Sequence, residues 1–144
     1  MIAAGDLAPE FEGETSQGTR LRLSELRGHP VVLYFYPKAD TPGCTTESKG
    51  FRDHFDELGS RDVRIVGVSV DSVSDEVAFA QKYGFQFPLV ADPTGTISEA
   101  YGVRRPGGAA RRVTFLIGPD GRVVKVIDSS AAGTHVGAAC AKDW

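Results

Sequence analysis

Uninterrupted apolar segments constrain the fold of this chain more than any other feature. Val31–Tyr36 reads VVLYFY, and Val63–Val70 reads VRIVGVSV. Strands with so few polar positions are typically buried on both faces, as in a parallel sheet covered by helices. Three further strands are predicted at Phe87–Val90, Val113–Ile117 and Val123–Ile127.

Helical segments alternate with the first of these strands. Apolar positions recur at helical spacing, with charged residues between them, so one helix is predicted over about Cys44–Leu58. A second helix is predicted after the capping candidate Ser72 and ends at Gly84. Strand–helix–strand alternation implies right-handed crossovers and parallel pairing in the sheet.

Two hairpins add antiparallel pairs. One lies in Phe11–Leu23, and the other joins the last two strands through the turn Gly118–Gly121. The sequence therefore predicts an α/β fold with a central mixed β-sheet, flanking helices and an N-terminal β-hairpin. Without repeats or a linker, residues 1–144 are expected to form a single domain.

Composition excludes several classes of function. Lys and Arg number 16 and Asp and Glu 19, so the net charge of −3 argues against nucleic-acid binding. The longest apolar run, Val31–Tyr36, is far shorter than the roughly 20 residues of a membrane span. Met1–Pro9 lacks the pattern of a secretory signal, so a cytoplasmic location is expected. Two cysteines are too few for a disulfide framework.

The segment after the first buried strand carries the chemistry. It reads YPKADTPGCTTE over Tyr36–Glu47 and places Cys44 in the first turn of the predicted helix. Free N–H groups and the helix dipole favour negative charge there, so a thiolate is stabilised relative to the thiol. Thr41 stands where a C-x-x-C motif has its other cysteine. A hydroxyl in that place removes dithiol exchange but keeps a polar group for an oxygen-containing substrate.

Pro37, Thr41 and Cys44 form the pattern P-x-x-x-T-x-x-C, which resembles the active-site motif of peroxiredoxins, the thiol peroxidases of thioredoxin-like fold. Asp40–Glu47 is similar to the bacterioferritin-comigratory, or peroxiredoxin Q, branch, and Gly5–Phe11 resembles the family's N-terminal segment. The resemblance covers the chain to about residue 135. It implies a thioredoxin-like fold and a peroxide-reducing cysteine.

In such a site, Cys44 attacks a peroxide oxygen and becomes a sulfenic acid. The resemblance implies that Thr41, backbone N–H groups and an arginine polarise the peroxide, while Pro37 shields the sulfur. The arginine corresponds to Arg112, with Arg111 as the close alternative.

The resemblance also suggests that Glu47, one helical turn beyond the cysteine, orients that arginine. The implied partners are a peroxide and a thioredoxin-like protein or low-molecular-weight thiol, and the implied assembly is a monomer or weak homodimer.

The sequence departs from the branch at its second cysteine. Many members carry a resolving cysteine five residues after the first, where this chain has Lys49. The sulfenic acid is then resolved by Cys140 or by an external thiol. Cys140 is interpreted either as a small buried hydrophobic residue or as a resolving cysteine on a mobile tail. External resolution, a one-cysteine mechanism, is the preferred expectation.

Other functions remain as alternatives. A redox sensor that passes oxidation to a partner protein would fit the absence of a local resolving cysteine, whereas Thr41 argues against a dithiol oxidoreductase. No metal or cofactor is expected, because His29, His54 and His135 lack ligand spacing with either cysteine. A basic cluster is interpreted as a solvated surface or as a docking site for an acidic reductant or substrate; it comprises Arg104, Arg105, Arg111 and Arg112.

Overall fold

The computed structural model describes residues 1–144 and begins with a hairpin of β1 (Glu12–Glu14) and β2 (Arg20–Arg22). The other strands are β3 (Val31–Phe35), β4 (Arg64–Ser69), β5 (Leu89–Ala91), β6 (Val113–Ile117) and β7 (Val123–Asp128). They form one sheet in the order β5-β4-β3-β6-β7. β4 pairs in parallel with β3 and β5, while β6 is antiparallel to β3 and β7, so the predicted mixed sheet is confirmed.

Five helices accompany the sheet. They are α1 (Pro42–Asp53), α2 (Phe55–Ser60), α3 (Val73–Tyr83), α4 (Thr96–Ala100) and α5 (Ala132–Cys140). A short 3-10 helix, Leu23–Leu26, follows the hairpin. Neither this helix nor α4 was predicted. None of the helices combines the length and the apolar composition that a membrane-spanning helix requires.

Strand β3 is buried on both faces, as its sequence predicts. Leu33 and Phe35 pack with Phe11 and other residues in one hydrophobic cluster. Val32 and Tyr34 belong to a second cluster, formed with residues of α1, α3 and α5. The central strand therefore anchors the core on both sides of the sheet, and its carboxyl end is held firmly where the reactive segment begins.

The prediction of a single helix over Cys44–Leu58 is wrong in its second half. Helix α1 ends at Asp53, and His54, with φ −103° and ψ 11°, separates it from α2. The break lets α2 turn against β4, where Leu58 is fully buried. Side-chain periodicity continues across the bend, so the pattern alone does not reveal it.

Helices α1 and α5 lie side by side and run in the same direction. His135 lies near Glu47, Val136 packs against Gly50, and Cys140 lies near His54. At Gly50 a side chain would approach Val136 Cγ2 to 2.7 Å, so glycine permits this close packing. Beyond α5, the indole of Trp144 donates a hydrogen bond to the carbonyl of Ala139 at 2.9 Å.

Candidate active site

The loop from β3 to α1 is tied down by side chains from the neighbouring strand and helix. The backbone N–H of Ala39 donates to Asp71, which follows β4, at 2.8 Å. The Asp40 carboxylate accepts from Lys82 and Tyr83 of α3, both at 2.7 Å. Asp40 has a φ of 57°, a left-handed conformation that Asp tolerates better than most residues. These contacts hold the reactive segment in one conformation.

Cys44 lies in the first turn of α1, as predicted, and its side chain is buried, with a residue exposure of 1%. Pro42 opens the helix, where its missing N–H costs no intrahelical hydrogen bond. The other N–H groups of a first turn have no partner within the helix. They and the helix dipole stabilise negative charge at this position.

Arg112, which immediately precedes β6, reaches the sulfur. Its Nη2 lies 3.4 Å from Cys44 Sγ. Arg111 instead pairs with Asp128 at 2.6 Å, so the structure places Arg112 and not Arg111 beside the thiol. A side chain at Gly43 would lie 2.8 Å from Arg112 Nη2. Glycine at this position therefore lets the guanidinium cross the start of the helix, a need that the sequence analysis did not identify.

Glu47 holds the other side of the guanidinium. Arg112 Nη1 donates to Glu47 Oε1 at 2.7 Å, and the Glu47 side chain is completely buried. Burial raises the pKa of Glu47 to about 8, although the Arg112 charge opposes the increase. Burial lowers the pKa of Arg112, but the charges of Glu47 and Cys44 outweigh it and raise that pKa further. The guanidinium therefore stays charged between two acidic groups.

His135 extends this chain of contacts to α5. It is fully buried, and its Nε2 lies 2.7 Å from the carbonyl of Ser129, so Nε2 carries the proton. Its Nδ1 then accepts from the hydroxyl of Thr114 at 2.7 Å. Nδ1 also lies 3.6 Å from Glu47 Oε2, a buried oxygen with no hydrogen-bond partner. Burial lowers the pKa of His135, which keeps the ring neutral. This proximity could not be predicted, because nothing in the sequence indicates how α5 packs on α1.

Thr41 and Pro37 lie on the same loop. The Thr41 hydroxyl donates to the carbonyl of Lys38 at 2.7 Å. This contact leaves the lone pairs of the Thr41 oxygen as acceptors, immediately before the start of α1 that carries Cys44. Pro37 lines a polar cavity together with Arg112.

Cys140 lies apart from this group, at the end of α5. Cys140 lies beside His54, which directly follows α1 and is ten residues after Cys44. Ten residues span about 15 Å along a helix, so the two cysteines are about that far apart. A disulfide requires Cα atoms within about 7 Å, so the two cysteines cannot bond in this conformation. Burial raises the pKa of Cys140, and the Glu57 charge adds to the increase.

The ligand atoms of His54, Glu57 and Cys140 lie within 4.8 Å of one another. Linear spacing gave no indication that His54 and Cys140 would meet. The contact arises because α5 runs beside α1 and brings its last residue to the break after α1.

A thiol held against a guanidinium at a strand-to-helix junction, in a mixed sheet covered by helices, defines a thiol-dependent peroxidase of thioredoxin-like fold. The family model of the AhpC/TSA family matches residues 4–126. The chain belongs to this family and is a peroxiredoxin.

Similar proteins carry the names of the branch that the sequence resembles. A Coxiella burnetii protein named as a Bcp peroxiredoxin is 40% identical over 142 residues, covering 94% of both chains. The crystal structure of peroxidoxin BcpB from Mycobacterium tuberculosis has a TM-score of 0.91 at 38% identity, covering 97% of this chain and 95% of its own. A structure of the Xanthomonas campestris bacterioferritin comigratory protein, described for its alkyl peroxide reduction activity, has a TM-score of 0.85 at 35% identity, covering 90% and 87%.

Proposed function

We propose that this peroxiredoxin reduces hydrogen peroxide and organic hydroperoxides through a sulfenic acid at Cys44, which an external thiol then resolves. The observation that carries the assignment of the nucleophile is the 3.4 Å contact between Arg112 Nη2 and Cys44 Sγ at the start of α1. Both the guanidinium and the helix start favour the thiolate, which is the nucleophilic form of cysteine.

The reaction begins when the thiolate attacks the hydrogen-bearing oxygen of the peroxide. The S–O bond forms as the O–O bond breaks, and the electron pair leaves on the second oxygen, which is released as water or an alcohol after taking a proton. Sulfur is oxidised by two electrons, and the peroxide is reduced by two.

Five groups have roles in this step. The Thr41 oxygen accepts the peroxide hydrogen, because its own proton is donated to Lys38. Arg112 and the free N–H groups at the start of α1 donate to the oxygen on which negative charge develops. Glu47 is a positioning residue that holds the guanidinium from behind. Pro37 removes a backbone donor and shields the sulfur.

The positions of the other groups support resolution by an external thiol. Lys49 occupies the place of the resolving cysteine of related sequences, and Cys140 lies about 15 Å from Cys44 by helix geometry. An external thiol attacks the sulfenic acid and releases water, and a second thiol reduces the mixed disulfide. Both cysteines are free thiols, which fits a cytoplasmic protein supplied by a thioredoxin-like protein or a low-molecular-weight thiol.

The test is a single turnover with one equivalent of hydrogen peroxide, read by mass spectrometry under non-reducing conditions with a sulfenic-acid trap. Wild type and Cys140→Ser should both carry the trap on Cys44, and Cys44→Ser should lose peroxide consumption. A Cys44–Cys140 link in most wild-type molecules would contradict external resolution. A Cys44→Ser protein that still turns over peroxide would contradict the assignment of the nucleophile.

Steady-state assays with a thioredoxin-type reductant and with small thiols separate enzyme from sensor. We expect repeated turnover with at least one of them. A stable mixed disulfide with a partner protein and no turnover would favour the redox sensor instead.

A further inference from the structure

A polar cavity of about 350 Å³ lies beside the proposed reaction site. Pro37 and Arg112 contribute to its lining. The other lining residues are Arg105, Arg111, Asp128, Ser129 and Ser130. None of the lining residues has an aliphatic or aromatic side chain apart from the proline ring, so the functional groups in the lining are charged groups and hydroxyls.

Hydrogen-bond donors outnumber charged acceptors in this cavity. Asp128 is its one carboxylate, and it accepts from Arg111 at 2.6 Å. Arg112 is paired with Glu47, whereas Arg105 forms no ion pair. Each guanidinium has five N–H groups, so even the paired arginines keep donors to spare. The cavity therefore has an excess of positive charge and of N–H donors that no protein acceptor pairs with.

The backbone that carries these arginines is ordered by its own contacts. Arg105 N–H donates to the carbonyl of Ala109, and Arg111 N–H donates to that of Val103, both at 2.8 Å. Ala110, between them, is fully buried. Arg105 is exposed, but its backbone lies in this hydrogen-bonded turn and its side chain lines the cavity, so a ligand in the cavity can reach its unpaired guanidinium.

We propose that the cavity is a subsite for an anionic substituent, so that the substrates of this enzyme include hydroperoxides that bear a carboxylate close to the peroxide group. The inference rests on the proposed function and specifies its substrate class. The carboxylate binds Arg105 and the free N–H groups of Arg111, and the peroxide group lies between Thr41 and Cys44. An alkyl substituent in the same place would cover these donors without replacing their hydrogen bonds to water, which is unfavourable.

The reaction stays balanced with such a substrate. Cys44 thiolate takes the terminal oxygen of the hydroperoxide to become a sulfenic acid. The rest of the substrate leaves as an alkoxide, gains a proton from water, and is released as a hydroxy acid. Thiol reductant then restores the cysteine as for any other peroxide.

The experiment compares tert-butyl hydroperoxide with 3-hydroperoxy-3-methylbutanoate, a similar molecule that carries a carboxylate, and uses hydrogen peroxide as the reference without a substituent. Second-order rate constants for Cys44 oxidation are measured at low and high salt. At low salt we expect the anionic peroxide to react about tenfold faster than the neutral one, as a charge-assisted hydrogen bond allows. High salt should reduce the ratio.

Arg105→Ala should reduce this ratio by about threefold or more, because the unpaired guanidinium is lost while Arg111 keeps N–H groups in the cavity. Arg104→Ala is the matched control, because Arg104 belongs to the same basic cluster but pairs with Glu99 at 3.5 Å and does not line the cavity. It should keep the wild-type ratio.

Equal rate constants for the two organic peroxides at low salt would overturn the inference, as would an Arg105→Ala protein that keeps the preference. An effect of Arg105→Ala on reduction alone would also overturn it and assign the cluster to an acidic reductant. If no peroxide oxidised Cys44, the proposed function would fail and this inference with it. Oxidation without preference would overturn only the inference.

Discussion

Cys44 and Cys140 contact the same hydrophobic cluster but lie in opposite electrostatic surroundings. Cys44 is at the start of α1, beside Arg112, where the helix dipole and a guanidinium both favour negative charge. Cys140 is the last residue of α5, where burial, the helix dipole and the Glu57 carboxylate oppose negative charge and the Arg61 guanidinium offsets them only in part. The difference shows that reactivity comes from place in the fold, since the two side chains are chemically identical.

The parallel course of α1 and α5 maintains this difference. Because the two helices run in the same direction, their N-termini lie together and their C-termini lie together. Cys44, near the N-terminus of α1, is therefore kept apart from Cys140, at the C-terminus of α5. Val136 against Gly50 fixes the packing between them. Bringing the two sulfur atoms together would require α1 or α5 to unwind.

The substitution expected to reduce the difference between the two thiols most is Arg112→Ala, which removes the guanidinium beside Cys44. The rate constant for oxidation by hydrogen peroxide should fall by about 10²-fold or more, because a fixed donor to the developing charge is lost. Stopped-flow oxidation measures it.

Arg112→Lys is the conservative variant. The lysine ammonium cannot contact Glu47 and the Cys44 sulfur at once, as the two Nη atoms of Arg112 do. The oxidation rate constant should therefore recover only in part, while the melting temperature approaches that of wild type. A rate within twofold of wild type for Arg112→Ala would remove the main difference between the two thiols.

The next effect concerns the buried carboxyl groups, Glu47 beside the Cys44 site and Glu76 in the core. Burial raises the pKa of each to about 8 from the ordinary 4.5. Between pH 4.5 and 8 each carboxyl group keeps a proton in the folded protein that it has lost in the unfolded chain. The contribution of these groups to the free energy of unfolding is therefore fully present below about pH 4.5 and is lost as pH rises through 8. Each Glu→Gln change should reduce the loss of stability between pH 6 and 9 by about 1 to 3 kcal/mol, as measured by denaturant unfolding.

Only Glu47→Gln should change the chemistry. Glu47 contacts Arg112, whereas Glu76 accepts from Tyr36 and Ser69, away from the thiol. Above pH 8 the Glu47 carboxylate competes with the sulfur for the Arg112 charge, so the wild-type rate profile should inflect near pH 8. Glu47→Gln should lose that inflection, and Glu76→Gln should keep it. The same profile for all three proteins would show that Glu47 has a purely structural role.

The smallest effect is expected at Cys140. In Cys44→Ser, iodoacetamide should modify Cys140 slowly at pH 7.5 and faster at higher pH, because burial and then Glu57 raise its pKa. Adding Glu57→Gln removes the nearby negative charge and should speed labelling at pH 7.5 by about twofold to threefold. A Cys44→Ser, Cys140→Ser protein gives the background. Slower labelling after Glu57→Gln would mean that Glu57 does not oppose the thiolate.

Much of this arrangement could be predicted from local sequence. The apolar run Val31–Tyr36 predicted the central strand, and the motif placed Cys44 in the first turn of a helix. Arg112 was predicted from the family resemblance, with Arg111 left as the alternative, and local sequence did not decide between them. The bend at His54 and the burial of His135 could not be predicted, because both depend on which surfaces α2 and α5 cover. Asp71, two residues after β4, anchors the loop after β3, and the parallel pairing of these strands indicates this proximity because adjacent parallel strands end at the same edge.

The hydrogen bond from Trp144 to Ala139 gives the protein an internal optical signal. This is the chain's single tryptophan, and it caps the carbonyl of a residue in the last turn of α5. The indole ring also packs against the second hydrophobic cluster, which includes residues of α1 and α3, so its emission reports on the docking of the C-terminal segment. Constant Trp144 emission through a catalytic cycle would show that the C-terminal segment stays docked. A transient change would give the rates at which this segment undocks and docks again, without any added label.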